Sequence, residues 1–327
     1  MQSTYSSDDV KLLLTDLTGQ VPPMSVEERH QAVLSGQHYS ELLPEEFLPS
    51  QEHLQEFMFL LNVYIPSLAN DIAVLATKIL DRVDDPILVS IPRAGLPIGV
   101  LLKRYMETQL HHYPHHYAVS VIKDYGVDEI ALDQIYMENH DAAQRIIYVD
   151  GWTGSGSIRN ELPKNSQFAC IANPAFVGAI DVTVYDRFVL SAMMNGIISG
   201  CISRTIKTTA GYHGAVFYEH LLDSDMTQQF LSSIEEHFTS PIYVVEKVAE
   251  YHNPLGHIMS HYQYSDPSKI KLGINETVRM ILRRKPALVL VKDSIPEPLG
   301  FLCKTRNIPI EFFDLGHYSA AGLIRKD

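Results

Sequence analysis

The sequence predicts an α/β protein: a parallel sheet preceded by an N-terminal extension, with a small α/β unit at the C-terminus. Three observations carry this. The runs ILVSIP (87–92), YAVSVI (117–122), IIYVD (146–150) and FACIAN (168–173) are rich in Val and Ile and show no alternation. Strands buried on both faces read this way. The runs begin 20–30 residues apart, which leaves room for the crossover helix that a parallel pairing needs. From 270 onwards a second, shorter helix–strand–helix–strand pattern follows.

Taken in order, residues 1–50 form an acidic, irregular extension in which Leu and aromatic residues recur, so it is expected to be ordered. Residues 51–80 carry Leu, Phe, Ile and Val at three-to-four spacing. This predicts a helix with a break near Pro66. The main domain is assigned to 51–250 and a linker to 251–268, within a stretch rich in His, Tyr, Ser and Pro. The C-terminal domain is assigned to 269–327. There GINETVRMILRRK reads as a helix, ALVLVKD as a strand, EPLGFLCKTRN as a helix and IPIEFFD as a strand.

Hydrophobic residues make up 46 % of 327, enough for a full core, so disorder is not the default. No apolar run reaches the length of a bilayer span, and MQSTYSSDDV is neither basic nor apolar. Neither a signal peptide nor a transmembrane helix is expected. Three cysteines, odd in number and far apart, argue against a disulfide framework and for a reducing cytoplasm. The net charge of -13 disfavours a general nucleic-acid coat. Residues 269–327 nevertheless carry 11 Lys+Arg against 6 Asp+Glu, net +5, which leaves -18 for the rest. A basic unit on an acidic body suggests two partners of different kinds.

Ligands of parallel α/β sheets gather at the carboxyl ends of the strands, and three loops there stand out. In IIYVDGWTGSGSI (146–158), Asp150 is followed by Gly151, Trp152, Thr153, Gly154, Ser155, Gly156 and Ser157. Small residues let backbone approach a ligand, and successive N–H groups with hydroxyls make an anion nest. The carboxylate suits sugar hydroxyls or a metal. The string also reads as a Gly/Ser turn capped by Asp. In IPRAGLPIG (91–99), Arg93, Ala94 and Gly95 open a helix. An Arg beside free N–H groups suits a multiply charged anion, although a helix-starting turn with an exposed Arg has the same string. In VIKDYGVDE (121–129), Lys123, Asp124 and Tyr125 precede Gly126 in a polar segment that also reads as a solvated loop.

Together these loops resemble the type I phosphoribosyltransferases. The resemblance implies that Arg93, Ala94 and Gly95 bind pyrophosphate and that Lys123 lies on a flexible lid. Asp150 with 151–157 would hold the ribose 5-phosphate of PRPP with Mg²⁺, for transfer to a nucleobase-like acceptor. Two departures stand: Asp150 is followed by Gly151 where many members have a second acid, and the acid-to-Thr153 spacing is short. DLTGQ (16–20), GQHYSELLPEE (36–46), SGCISRTI (199–206) and GINE (273–276), with the loops above, resemble more specifically the phosphoribosyltransferases of tellurium-resistance (Ter) stress clusters. These are fused to a pelota-type RNA-binding domain, and some members carry the name cysteine protease StiP. The pelota resemblance implies RNA contacts by Gly273, Asn275, Glu276 and Arg279, with Arg283, Arg284 and Lys285 nearby. The alternatives are a sensor or RNA-binding regulator without turnover, and a cysteine protease. A homo-oligomer is compatible with all of these.

Other residues tempt. HHYPHH (111–116) is histidine-rich, but no Cys or paired acid completes a metal site, and a connection with exposed histidines is expected. A protease needs a thiol and a base. Cys201, His213 and Asp223 or Asp225 exist, but no nucleophile signature surrounds Cys201. Trp152 either stacks on a base or packs under its loop. Ser203-Arg204-Thr205 is a polar break in an apolar stretch.

Overall fold

The computed structural model describes residues 1–194, 196–244 and 250–326. The first domain is built on a six-stranded, all-parallel sheet. Its strands are β1 (Lys11–Leu13), β2 (Ile87–Ser90), β3 (His115–Val119), β4 (Ile146–Val149), β5 (Gln167–Ala172) and β6 (Ile180–Thr183), in the order β1-β3-β2-β4-β5-β6. Four of these are the apolar runs of the sequence, and β2 and β4 are buried along their whole length. One face is covered by α2 (Gln51–Leu80), α3 (Gly95–Leu110) and α5 (Thr227–Glu235). The other is covered in part by α4 (Glu129–Glu138). Burial on both faces explains why these strands do not alternate.

Residues 1–50 are more than an extension. β1 adds the edge strand, Thr15–Asp16 pairs with Gly214–Ala215, and α1 (Val26–Leu34) starts on a Ser25–Glu28 capping box. The predicted break at Pro66 is absent, because α2 runs through it. A proline here removes the bond to the carbonyl four residues back. Pro66 and Asn62 both lie on the exposed side, so the carbonyl left without that bond is not enclosed in the core. By length and composition α2 also could cross a membrane, which the sequence reading missed. More than half of that stretch is buried in this core.

The C-terminal domain has β7 (Ile270–Leu272), β8 (Pro286–Val291), β9 (Ile310–Phe312) and β10 (Ala320–Ile324), in the order β7-β10-β8-β9. Only the β8–β9 pair is parallel. The segment read as a linker, 251–268, instead carries α6 (Leu255–His261), whose Ile258 is fully buried in this domain's core. Helices α7 (Ile274–Arg283) and α8 (Glu297–Thr305) cover the other face. Their Val278, Ile281, Leu299 and Leu302 join the core of the first domain. The hydrophobic core therefore runs from one domain into the other. The central strand β10, sequence AAGLI, was missed. A Cβ on its Gly322 would fall 2.6 Å from the Met280 side chain, so helix packing selected against the bulky residues that announce a strand.

Candidate functional site

The strand-end loops converge where the two domains meet. Asp150 follows β4, and Gly151 N–H donates to its Oδ1 at 2.7 Å. Burial pushes its carboxyl up to about 7. Glu276 also raises it, whereas the Gly151 bond and Arg279 pull it down. The Gly/Ser run after it is packed beneath the C-terminal domain. Trp152 Nε1 donates to Glu276 Oε1 at 2.9 Å, with Arg279 over the indole ring at 5.4 Å. Tyr318 Oη donates to Gly154 O at 3.1 Å. A Cβ on Gly154, at φ 51°, would stand 2.9 Å from the Glu276 side chain. Thr153 N–H is spent on Ala172 O and Gly156 N–H on Thr153 O. Ser155 and Ser157 are the members of the run left exposed.

Asn275 Oδ1 accepts from Val189 N–H at 2.7 Å, and its Nδ2 donates to Arg187 O at 2.8 Å. Asp186 accepts from Ile274 N–H, Ser319 N–H and Ser319 Oγ. Gly273, at φ 94°, leaves room for Asp186, whose Oδ1 is 3.0 Å from where a Cβ would be. Gly273, Asn275 and Glu276, expected to face RNA, are thus engaged by the first domain. The residues that hold this seam from the other side, Asp186 and Val189, sit in an unremarkable loop of the sequence, and no local signal marks them.

Arg93 is buried. It donates to Ile202 O and to Glu46 Oε2, each at 3.2 Å. Burial alone would raise the Glu46 carboxyl, but Arg93 and Arg283 hold it below the usual range. Ala94 and Gly95 open α3, and a Cβ on Gly95 would fall 2.1 Å from Val149 O. That glycine therefore allows close helix–strand packing. Lys123 is exposed at the turn of a short hairpin, Val121–Ile122 with Gly126–Val127. Its N–H donates to Tyr39 Oη, and Asp124 N–H to Glu161. The expected lid is tied down at both residues. In the histidine run, His116 is buried, against expectation. It shares a hydrogen bond of 2.8 Å with Ser90 Oγ, and burial lowers its ring to about 4. Among the described residues no group of three or more His, Cys, Asp or Glu is placed to hold a metal ion.

All three cysteines are free and buried. Cys201 sits in left-handed backbone, φ 53°. Burial first, then Asp225, push its thiol up to about 12. His213 is engaged elsewhere, its Nδ1 3.0 Å from Ser120 Oγ. Among the described residues no histidine hydrogen-bonds to a thiol.

A separate surface lies on the C-terminal domain. His257 and His261 of α6 and Tyr262 surround Phe313, with ring centroids 4.9, 5.2 and 5.5 Å away. Lys326 lies over the neighbouring Tyr264 ring, and Phe312 is 63 % exposed.

Residues 3–235 match the family model described as "Tellurite-like stress resistance cysteine protease StiP". This chain is a member of the StiP family. Residues 251–326 match the PELOTA RNA binding domain. A relative from Acinetobacter baylyi, named cysteine protease StiP, is 29 % identical over 364 residues, covering 99 % of this chain and 94 % of the relative. No solved structure matches.

These names overturn the transferase expectation. The matching family and the relative are both called a cysteine protease, and neither description speaks of phosphoribosyl transfer. PRPP and a nucleobase lose their support as partners with it. The stress-resistance family, the parallel α/β sheet and the pelota domain stand.

Proposed function

We propose that this chain serves tellurite-type stress resistance by binding RNA through its C-terminal domain, with unpaired bases stacking on the aromatic surface around Phe313. The observation that carries this is that surface itself: exposed His257 and His261 beside half-buried Tyr262 and Phe313, with exposed Lys326 nearby, on a domain that matches an RNA-binding model. Single-stranded RNA is held by aromatic faces and basic side chains in this way. Gly273, Asn275 and Glu276 are occupied by the first domain, whereas His257, His261 and Phe312 of the aromatic face are exposed. The test is fluorescence polarisation of a labelled single-stranded RNA at two salt concentrations. Binding that weakens with salt and falls about tenfold in Phe313→Ala is expected. No binding at low salt would refute the reading.

A second reading follows the family's name, and one observation favours it. The N-terminal segment lies over the Cys201 turn: Thr4 N–H donates to Gly200 O at 3.1 Å, and Tyr5 Oη to Ile198 O at 3.4 Å. A thiol raised by burial is inert as it stands. Uncovering by displacement of residues 1–6 is the route by which it would act as a nucleophile. Labelled casein should then be cleaved by a chain lacking residues 1–6 and not by the same chain with Cys201→Ala. Equal rates in both would remove Cys201 from any proteolysis.

A further inference from the structure

Between the two domains lies a cleft of about 700 Å³. Its walls include Arg29 on α1, Arg93 after β2, Arg204 of the 199–206 stretch, and Arg283, Arg284 and Arg306 of the C-terminal domain. In all, seven arginines and two glutamates line it, a net of +5. One of the glutamates, Glu46, is already committed to Arg93 at 3.2 Å. The Nε atoms of Arg29 and Arg204 are buried without a hydrogen-bond partner. The arginines also repel one another. Burial first, then Arg29, bring Arg204 down to about 10, and burial with Arg284 lowers Arg29. Proteins seldom gather this much like charge around one space, because it destabilises the fold that holds it. Buried donors left over after the internal bonds are counted call for an explanation.

We propose that this cleft binds a compact polyanion, a linear group of three or more phosphates. Such a group carries roughly four or more negative charges at neutral pH, close to the net +5 of the lining. Guanidinium forks match phosphate oxygens two at a time, and arginines on facing walls can grip a chain along its length. A single phosphate would leave most of them unmatched. The same group occurs free, on a nucleoside triphosphate and at the 5′ end of an RNA. The inference is independent of the aromatic surface, which none of these arginines belongs to.

The experiment is calorimetric titration of the full chain with inorganic tripolyphosphate, repeated with Arg29→Gln and Arg284→Gln. Thermal midpoints are recorded without ligand. Saturable binding by the wild type that weakens about tenfold in each variant is expected. The ligand-free midpoints should be unchanged or raised, because each variant relieves repulsion. A merely structural role would lower them instead. No binding by the wild type at millimolar tripolyphosphate, or equal affinity in all three proteins, would overturn the proposal. An RNA with a 5′-triphosphate is then compared with one bearing a 5′-hydroxyl. Preference for the former assigns the group to an RNA end, and indifference with displacement by ATP assigns it to a nucleotide. Displacement of tripolyphosphate by both RNAs equally would replace the proposal with a backbone groove. Phe313→Ala should leave tripolyphosphate binding intact, which separates this result from failure of the stacking surface.

Discussion

At its N-terminus helix α7 meets carboxylates, and at its C-terminus it meets guanidinia. The first end is balanced. Asp186 takes the Ile274 N–H, and Glu276 takes the Trp152 indole N–H, so the partial positive charge of the helix start is met within the chain. The other end gathers like charges. Arg283 and Arg284 arrive where Arg29, Arg93 and Arg204 already stand. One helix thus spends its first turn on joining two domains and leaves its last turn in surplus charge. A chain can afford that surplus only where the rest of the seam is firm.

The strongest way to break the contrast is Asp186→Ala, which strands three donors at the balanced end. A loss on the order of 3 kcal/mol is expected in urea unfolding. Asp150→Asn should act next, with a size that depends on pH. The folded carboxyl keeps its proton to about pH 7, against 3.8 for the ordinary group. The folded state therefore loses stability as pH rises through that window. The variant should melt higher than the wild type at pH 8, by about 1–2 kcal/mol after allowance for partial exposure, and equally at pH 3. Trp152→Phe removes one hydrogen bond and should cost about 1 kcal/mol. Trp152 is the only tryptophan. In the wild type its emission should shift red when the seam opens, and an unshifted spectrum on unfolding would contradict its burial. The smallest effect is at the other end of α7, where Arg29→Gln should leave the ligand-free midpoint equal or slightly higher.

Much of the first domain was legible because buried parallel strands advertise themselves as unbroken Val and Ile runs. Asp150 and Arg93 could be placed at strand ends for the same reason. The domain seam was not legible. Asp186 and Val189 meet Ile274 and Asn275 from 86–88 residues away, and no local periodicity encodes such a meeting. The arginine cleft was half visible. Arg204 stood out as a polar break, and Arg283-Arg284 as a basic pair, but Arg29 lies on a short helix with an ordinary polar face. Strand β10 escaped because Ala and Gly there serve the packing of α7. The phosphoribosyl reading failed at a different step. The names of the family and the relative overturn it, and the string of small residues it took as an open nest is packed in part beneath the second domain at Trp152 and Gly154, with Ser155 and Ser157 exposed.

The shared core has a consequence for how such a gene can be rearranged. Domains joined by a bare tether can be shuffled among chains, each bringing its own interior. Here Val278, Ile281, Leu299 and Leu302 complete the neighbour's interior, and Asp186 completes the helix start. A pelota unit grafted from another chain would arrive with the wrong plug for this socket, and the first domain expressed alone would be left with an open side. The two halves read as separable modules but have to be inherited, and to change, together.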